Sequence, residues 1–471
     1  MHFYRIVLLV VVPFVAISAA GSTIVHATLT TSHFLTHSVT GNNDDVSIVR
    51  MLRTNRKPDV EERAGNAPAG NVPIGSKIVN WLFSSKSTEA QLTVAENYKV
   101  RNWVKNKKSS EYVFNRLELG GGLDKVLTNP KLKLYVSYID HFNKQNPRKK
   151  VTMVDMFTNT YSDDAVAKMI EVGLTTPQTR SFATRLWYEL LGSWRSQGKT
   201  ADDVFTLLKI DTAGYNLFRT PKMSKDSNPT PNLFAAYIHQ LNKQNPRNKV
   251  KMIDFFAKKY NDDVISKMVE MGVTVPTTKR VASLLRKQLI AKWNNNAESA
   301  DDVFKLLKLD KAGDELFASP ELKTLYSYTT KSYTQDSKKV LLQVLTDHYG
   351  YDGLSKIFVM GQRRMDLSFL AKDLETTMGV QWLKDKLSPA EVFKLLKLND
   401  DVDTLLTNPN FLRTWESYRF MFDSKNDVKT TTIETLRKFY SDKELLGMLE
   451  VAKDVPATKS LAMKLLDEMK K

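Results

Sequence analysis

The sequence predicts an all-α protein organised as a linear array of four tandem helical-bundle units. Three observations point there. A tryptophan is followed ten residues later by Val-Phe at Trp103, Trp194, Trp293 and Trp382, with 91, 99 and 89 residues between successive tryptophans. Self-similarity of this kind signals stacked repeats that bury one another's apolar faces. Each tryptophan is trailed by one tyrosine (Tyr138, Tyr237, Tyr328, Tyr418) and then, 21 to 23 residues on, by a second (Tyr161, Tyr260, Tyr349, Tyr440). The local signals are helical throughout, and nothing alternates with period 2 long enough to argue a sheet.

In chain order, Arg5 precedes an apolar run, Ile6–Ile17, and Ser18-Ala19-Ala20 supplies small residues for cleavage, which predicts a secretory leader over 1–20. The run is too short for a membrane span. Residues 21–76 lack periodicity, are rich in Thr, Ser, Asn, Gly and Pro, and are expected to be disordered. An apolar stretch, Ile78–Phe83 with Trp81, opens the packed region as a cap. Cap and first unit occupy 77–193, and the remaining units 194–292, 293–381 and 382–471. The long interval in the second unit is explained by Lys222–Pro231, whose Pro and Ser content marks a surface loop.

Within the units, Thr200-Ala-Asp-Asp203, Ser299-Ala-Asp-Asp302 and Ser388-Pro-Ala-Glu391 read as capping boxes, with Pro389 at the favoured first helical position. Asn129-Pro130, Ser319-Pro320 and Asn408-Pro409 announce further helix starts. Tyr135, Tyr138, Ile139 and Phe142 then form one apolar stripe. Gly173, Gly272 and Gly361 are expected to end the helices carrying the second tyrosines. From Thr179 to Trp194 and from Thr278 to Trp293 no proline intervenes, which predicts a helix running from each unit into the next.

Cysteine is absent, and four stacked helical units can bury a sizeable core without disulfides. Tryptophans and first tyrosines at fixed places in every unit (Trp103, Tyr138, Trp194, Tyr237, Trp293, Tyr328, Trp382, Tyr418) read as structural core. The minimum parts of catalytic or metal chemistry are missing. There is no HExxH, GxSxG, phosphate loop or Cys/His cluster, and His141, His239 and His348 do not occupy equivalent positions. The pairs Asp163-Asp164, Asp202-Asp203, Asp262-Asp263 and Asp301-Asp302 sit at helix starts, where capping and the macrodipole explain them. No catalytic residue, cofactor site or metal site is expected.

The formal charge of +17 would suit phosphate backbones, with Lys105-Asn-Lys107-Lys108 and Arg148-Lys149-Lys150 the densest runs. The lysines are nevertheless spread through every unit without a recognised reading module. A sharper clue is a hexapeptide repeated in the first two units, Asn143-Lys144-Gln145-Asn146-Pro147-Arg148 and Asn242-Lys243-Gln244-Asn245-Pro246-Arg247. Asn-Pro is a turn signal, but a turn does not require Lys, Gln and Arg as well. Recent duplication and a shared contact surface both explain the identity.

Arg50-Met51-Leu52-Arg53, followed by Glu61-Glu62-Arg63 after a leader, resembles the RxLR and EER host-targeting motifs of secreted oomycete effectors. The repeats resemble the WY and LWY units of that family, one WY-type unit followed by LWY-type units. The resemblance implies secretion, entry into the host cytoplasm or nucleus, and suppression of immunity by a non-enzymatic adaptor. It further implies, for one subset, capture of the scaffold subunit of the host type 2A serine/threonine phosphatase by two adjacent units, the others selecting host phosphoproteins. On that basis Asn143, Lys144, Gln145, Asn146, Pro147, Arg148, Lys243, Asn245, Pro246 and Arg247 are the expected partner-binding residues. The alternatives are suppression of host RNA silencing, by binding RNA or an RNA-processing factor, and an adaptor for another host protein.

Overall fold

The computed structural model describes residues 92–218, 231–364, 366–400, 402–408 and 410–470. The predicted leader, the 21–76 region with Arg50, Leu52, Arg53, Glu61, Glu62 and Arg63, the Ile78–Phe83 cap and all of the insertion except Pro231 lie outside them. Among the described residues the regular elements are helices and no strand occurs.

Each of the four tryptophans sits near the end of a helix: Val94–Lys105, Arg180–Ser196, Lys279–Asn295 and Ser368–Lys384. A short helix follows, Ser110–Arg116, Ala201–Leu207, Ala300–Leu306 or Pro389–Leu395. The last three open on the expected capping boxes, Thr200 with Asp203, Ser299 with Asp302 and Ser388 with Glu391. Their Val-Phe pairs are buried, which is why the motif recurs. The first tyrosines lie on Leu132–Gln145, Pro231–Gln244, Glu321–Ser332 and Glu416–Asn426.

The recurrent aromatic residues pin these helices together. Trp194 meets Tyr237 edge-on at 5.8 Å, Trp293 meets Tyr328 at 5.7 Å and Trp382 meets Tyr418 at 5.4 Å. Each first tyrosine donates its phenol to a carbonyl just ahead of the short helix: Tyr138 to Lys108, Tyr237 to Lys199 (2.6 Å), Tyr328 to Glu298 (2.5 Å) and Tyr418 to Leu387 (2.5 Å). The second tyrosines do the same beyond that helix, Tyr161 to Gly120 (2.8 Å), Tyr260 to Ile210 (2.5 Å), Tyr349 to Leu309 and Tyr440 to Leu398 (2.6 Å). A buried phenol needs such a partner, so the eight tyrosines clamp both ends of one short helix in each repeat. Trp103 is the exception among the tryptophans. It is half-buried, whereas the other three are fully covered, because no preceding helix pair packs over it among the described residues.

Gly361 ends the helix that carries Tyr349, as expected, but Gly173 and Gly272 behave differently. Tyr161 terminates its own helix, Met153–Thr160, and Asp163–Thr175 is a new helix that begins after Ser162 and carries Gly173 within its last turn. Gly272 is placed likewise in Asp262–Thr274. A Cβ at Gly272 would stand 2.7 Å from both Ala282 and Phe218, so glycine is required for close approach of the following helix rather than for a helix end. Around Tyr349 the two helices merge into Ser337–Gly361 across a kink at Gly350, where φ of 67° and ψ of 169° exclude ordinary side chains.

The predicted run-through helices are present and carry the junctions. At their foot the paired aspartates do more than cap. Asp163 accepts the Trp194 indole N–H at 2.6 Å, and Asp262 accepts that of Trp293 at 2.7 Å together with the Lys292 ammonium at 2.8 Å. The second aspartate of each pair reaches forward to a lysine past the next short helix, Asp164 to Lys209 and Asp263 to Lys308, both at 2.9 Å, and Asp352 continues the series to Lys397 at 3.3 Å. Those lysines have φ of 53°, 55° and 51°, a left-handed conformation that side chains tolerate only when the surroundings hold them. In the third repeat Tyr351 replaces the first aspartate and lies tilted against Trp382 at 5.5 Å, and the Trp382 indole N–H has no acceptor among the described residues. Asp262→Ala is expected to destabilise the chain by about 1–3 kcal/mol by orphaning a buried donor. Asp442→Ala, at the equivalent but exposed position, is expected to cost less than about 0.5 kcal/mol. Urea unfolding of the two variants checks the contrast.

A second polar element sits deeper. Glu270 accepts Thr324 at 2.6 Å and Arg286 at 2.7 Å, joining one repeat's helices to the next tyrosine helix. At the following junction Val359 occupies that position and Glu375 takes over the role, accepting Gln362 at 2.6 Å and Thr414 at 2.8 Å. At the first junction Glu171 faces the amides of Asn232 and Leu233, and burial pushes its carboxyl up to about 8. Its Oε1 and the neighbouring Asn232 Oδ1 have no donor among the described residues.

Candidate functional site

Both copies of the hexapeptide lie at the C-terminal end of a tyrosine helix, and the two loops are built alike. The Asn143 side chain clasps Val151 from both sides, donating to its carbonyl at 2.7 Å and accepting its amide at 2.8 Å. Asn242 does the same with Val250 at 2.9 and 2.8 Å. A turn closes inside each clasp. The amide of Asn146 bonds Phe142 at 2.8 Å and Lys149 bonds Asn146 at 3.0 Å, matched by Asn245 on Leu241 at 2.9 Å and Asn248 on Asn245 at 3.1 Å. Two short-range backbone bonds and a double side-chain bond leave such a loop little freedom.

The leading asparagine is therefore a structural residue of the loop. Asn146 shares that duty, donating to Phe142 at 2.9 Å, whereas Asn245 is exposed. Lys144, Gln145, Pro147 and Arg148 are exposed, as are Lys243, Gln244, Pro246 and Arg247. No hydrogen bond or ion pair joins the two loops among the described residues. Flanking cations that the hexapeptide does not include extend the surface, namely Lys149 and Lys150 in the first loop and Lys249 in the second. Their relation to the clasp appears only in three dimensions, since the clasping valine lies eight residues beyond the asparagine.

The corresponding segments further along differ. Beyond Glu416–Asn426, Asp423 accepts the Thr430 amide at 3.2 Å and Arg419 donates to the Thr430 carbonyl at 2.6 Å, so a pair of charged residues replaces the single asparagine. Beyond Glu321–Ser332 a short 3₁₀ turn, Thr334–Asp336, stands in the loop's place, and Lys338 and Lys339 are paired with Asp373 (2.7 Å) and Asp336 (2.9 Å). The hexapeptide on its asparagine clasp is thus a property of the first two repeats, whereas the fourth carries exposed Lys425 and Lys429 beside Asp427.

A cleft of about 270 Å³ opens beneath the second loop, lined in part by Asp202, Leu241, Asn245, Asn248, Val250 and Phe255. A larger one of about 410 Å³ lies where Lys267, Lys308 and Lys311 face Asp263, Glu315 and Glu321. Within it Lys308 pairs with Asp263 at 2.9 Å and Lys267 lies over the Tyr215 ring at 4.9 Å. The described histidines form no cluster. His141 bonds the Ser137 carbonyl at 2.9 Å, and His348 stacks on Phe304 at 4.5 Å while contacting Asp301 at 2.7 Å. No group of metal-ligating side chains is found among the described residues. No helix among them is long and apolar enough to cross a membrane.

This is the fold of the WY-type effectors, and the WY domain of effector PexRD54 matches residues 379–418. A family described as RXLR phytopathogen effector protein, with avirulence activity, matches residues 2–145. An RxLR effector protein of Phytophthora infestans is 36% identical over 437 residues, covering 92% of this chain and 88% of that protein. The RxLR effector protein PSR2 of Phytophthora sojae is 29% identical over 393 residues, and the chain spans 57% of its length. The crystal structure of PcRxLR12 superposes with a TM-score of 0.57 at 29% identity, covering 78% of this chain and 86% of that one. The chain belongs to the RxLR effector family of Phytophthora, whose members are secreted and enter host cells.

Proposed function

We propose that this effector is a non-enzymatic adaptor that recruits the scaffold subunit of the host type 2A serine/threonine phosphatase through the units 77–193 and 194–292. The units 293–381 and 382–471 then present host phosphoproteins to the captured enzyme, and immunity is suppressed by their dephosphorylation. The observation that carries this reading is the pair of identical, exposed hexapeptides held on the same asparagine clasp in two adjacent repeats. Two copies on neighbouring rigid supports suit a partner that is itself extended, because both contacts can then be made at once. The run-through helix Arg180–Ser196 and the Asp163–Trp194 bond hold the spacing between them.

The leaderless protein is expected to retain the phosphatase scaffold from host cytosol, and a fragment of residues 77–293 to do the same. Replacing the exposed Lys144, Gln145 and Arg148 together by alanine is expected to weaken that capture at least about tenfold, since the centre of a contact carries most of its energy. Capture by residues 293–471 alone, at undiminished level, would overturn the assignment.

A further inference from the structure

We infer that the two basic loops recognise an acidic protein segment with an apolar residue among its carboxylates, the carboxylates meeting the loop cations and the apolar side chain entering the cleft beneath the second loop. The inference rests on the reading that these loops are the contact surface, and it specifies the chemistry they accept.

The cations are the first reason. Lys144, Arg148, Lys149 and Lys150 in one loop, and Lys243, Arg247 and Lys249 in the other, form no ion pair among the described residues, although lysines at the junctions and on the third repeat are paired at 2.7–3.3 Å. Like charges this close on a stiff turn repel one another, and an incoming set of carboxylates relieves the repulsion. The clasp keeps the backbone in place, so a partner loses little by ordering it.

The cleft is the second reason, and it separates a protein from a nucleic acid. Leu241, Val250 and Phe255 give it an apolar wall, and Asn245 and Asn248 a polar rim. Phe255 offers no free face for a base. It is buried edge-on against Phe234 at 5.5 Å, and the Lys258 ammonium sits 5.0 Å over its ring. Single-stranded nucleic acids depend on such open aromatic faces. An aliphatic side chain needs no open aromatic face and fills the apolar wall of Leu241, Val250 and Phe255.

The test uses the full leaderless protein, a short fluorescein-labelled peptide of glutamate pairs separated by leucines, its all-glutamate counterpart, and a labelled oligouridine of equal charge. Anisotropy is expected to show binding of the leucine-containing peptide that weakens with salt and exceeds that of the all-glutamate peptide. The triple variant Lys243→Glu, Arg247→Glu, Lys249→Glu is expected to lose at least about tenfold in affinity at unchanged melting temperature, because the replaced side chains are exposed and unpaired. Equal binding of peptide by the variant, equal binding of the two peptides, or tighter binding of oligouridine than of peptide would each overturn the inference. Peptide binding without capture of phosphatase scaffold would refute the adaptor reading and leave this one standing.

Discussion

Trp293→Ala is expected to destabilise the protein by about 3–5 kcal/mol, while Trp103→Ala is expected to cost less than half of that. Trp293 is fully buried, packs edge-on against Tyr328 at 5.7 Å and donates to Asp262 at 2.7 Å. Its removal leaves a cavity at the meeting point of two repeats and strips a buried carboxylate of one donor, so cavity and desolvation penalties add. Trp103 is only half-buried and has neither partner among the described residues. Urea unfolding gives the two values, and hydrogen exchange on Glu321–Ser332 locates the loosening. Stability in stacked repeats is a sum of local and neighbour contributions, so protection is expected to fall most beside the mutated junction. Equal costs for the two substitutions would contradict the distinction between a junction tryptophan and the one at the front of the described residues.

Glu171→Gln is expected to make the protein less sensitive to pH, with its gain in stability growing from about pH 5 to about pH 8. Burial between Asp163–Thr175 and the start of Pro231–Gln244 raises the Glu171 carboxyl from 4.5 to about 8, while the amides of Leu233 and Asn232 oppose the shift only in part. The folded state therefore holds a proton that the unfolded chain releases near 4.5. Stability from this group is complete below the unfolded value, declines as pH rises, and is gone above the folded value. At about 1.36 kcal/mol per unit, the whole window is worth on the order of 5 kcal/mol. Glutamine stays neutral across it and can donate to Asn232 Oδ1, the buried acceptor that otherwise lacks a donor. Denaturation midpoints of both proteins across that range check the prediction, and parallel pH profiles would refute it. Glu270 serves as an internal comparison. Burial raises its carboxyl as well, although Thr324 and then Arg286 counter part of that.

Much of this was legible in the chain. The all-α class followed from capping boxes and apolar stripes, which act within one or two turns and so leave a mark in adjacent residues. The run-through helices were legible for the same reason, since an uninterrupted stretch with no proline has little else to do. The role of Gly173 and Gly272 was not, because a glycine that ends a helix and one that admits a neighbouring helix look alike in one dimension; only close approach of Leu127 to the first and of Phe218 to the second, both distant in sequence, distinguishes them. The paired aspartates were placed at helix starts correctly, yet their acceptance of a tryptophan N–H about thirty residues on had no local sign.

The candidate loops divide in the same way. Their repetition stood out in the sequence, and so did their Asn-Pro turn. Which of the six residues serves the loop and which faces outward was decided by the clasp of Asn143 on Val151 and of Asn242 on Val250. The sequence by itself determined the repeating helices and the residues that recur in them, because periodic burial demands periodic side chains. Only the tertiary structure decided which of those residues are shared between repeats, since a junction is made by groups that the chain brings together after folding.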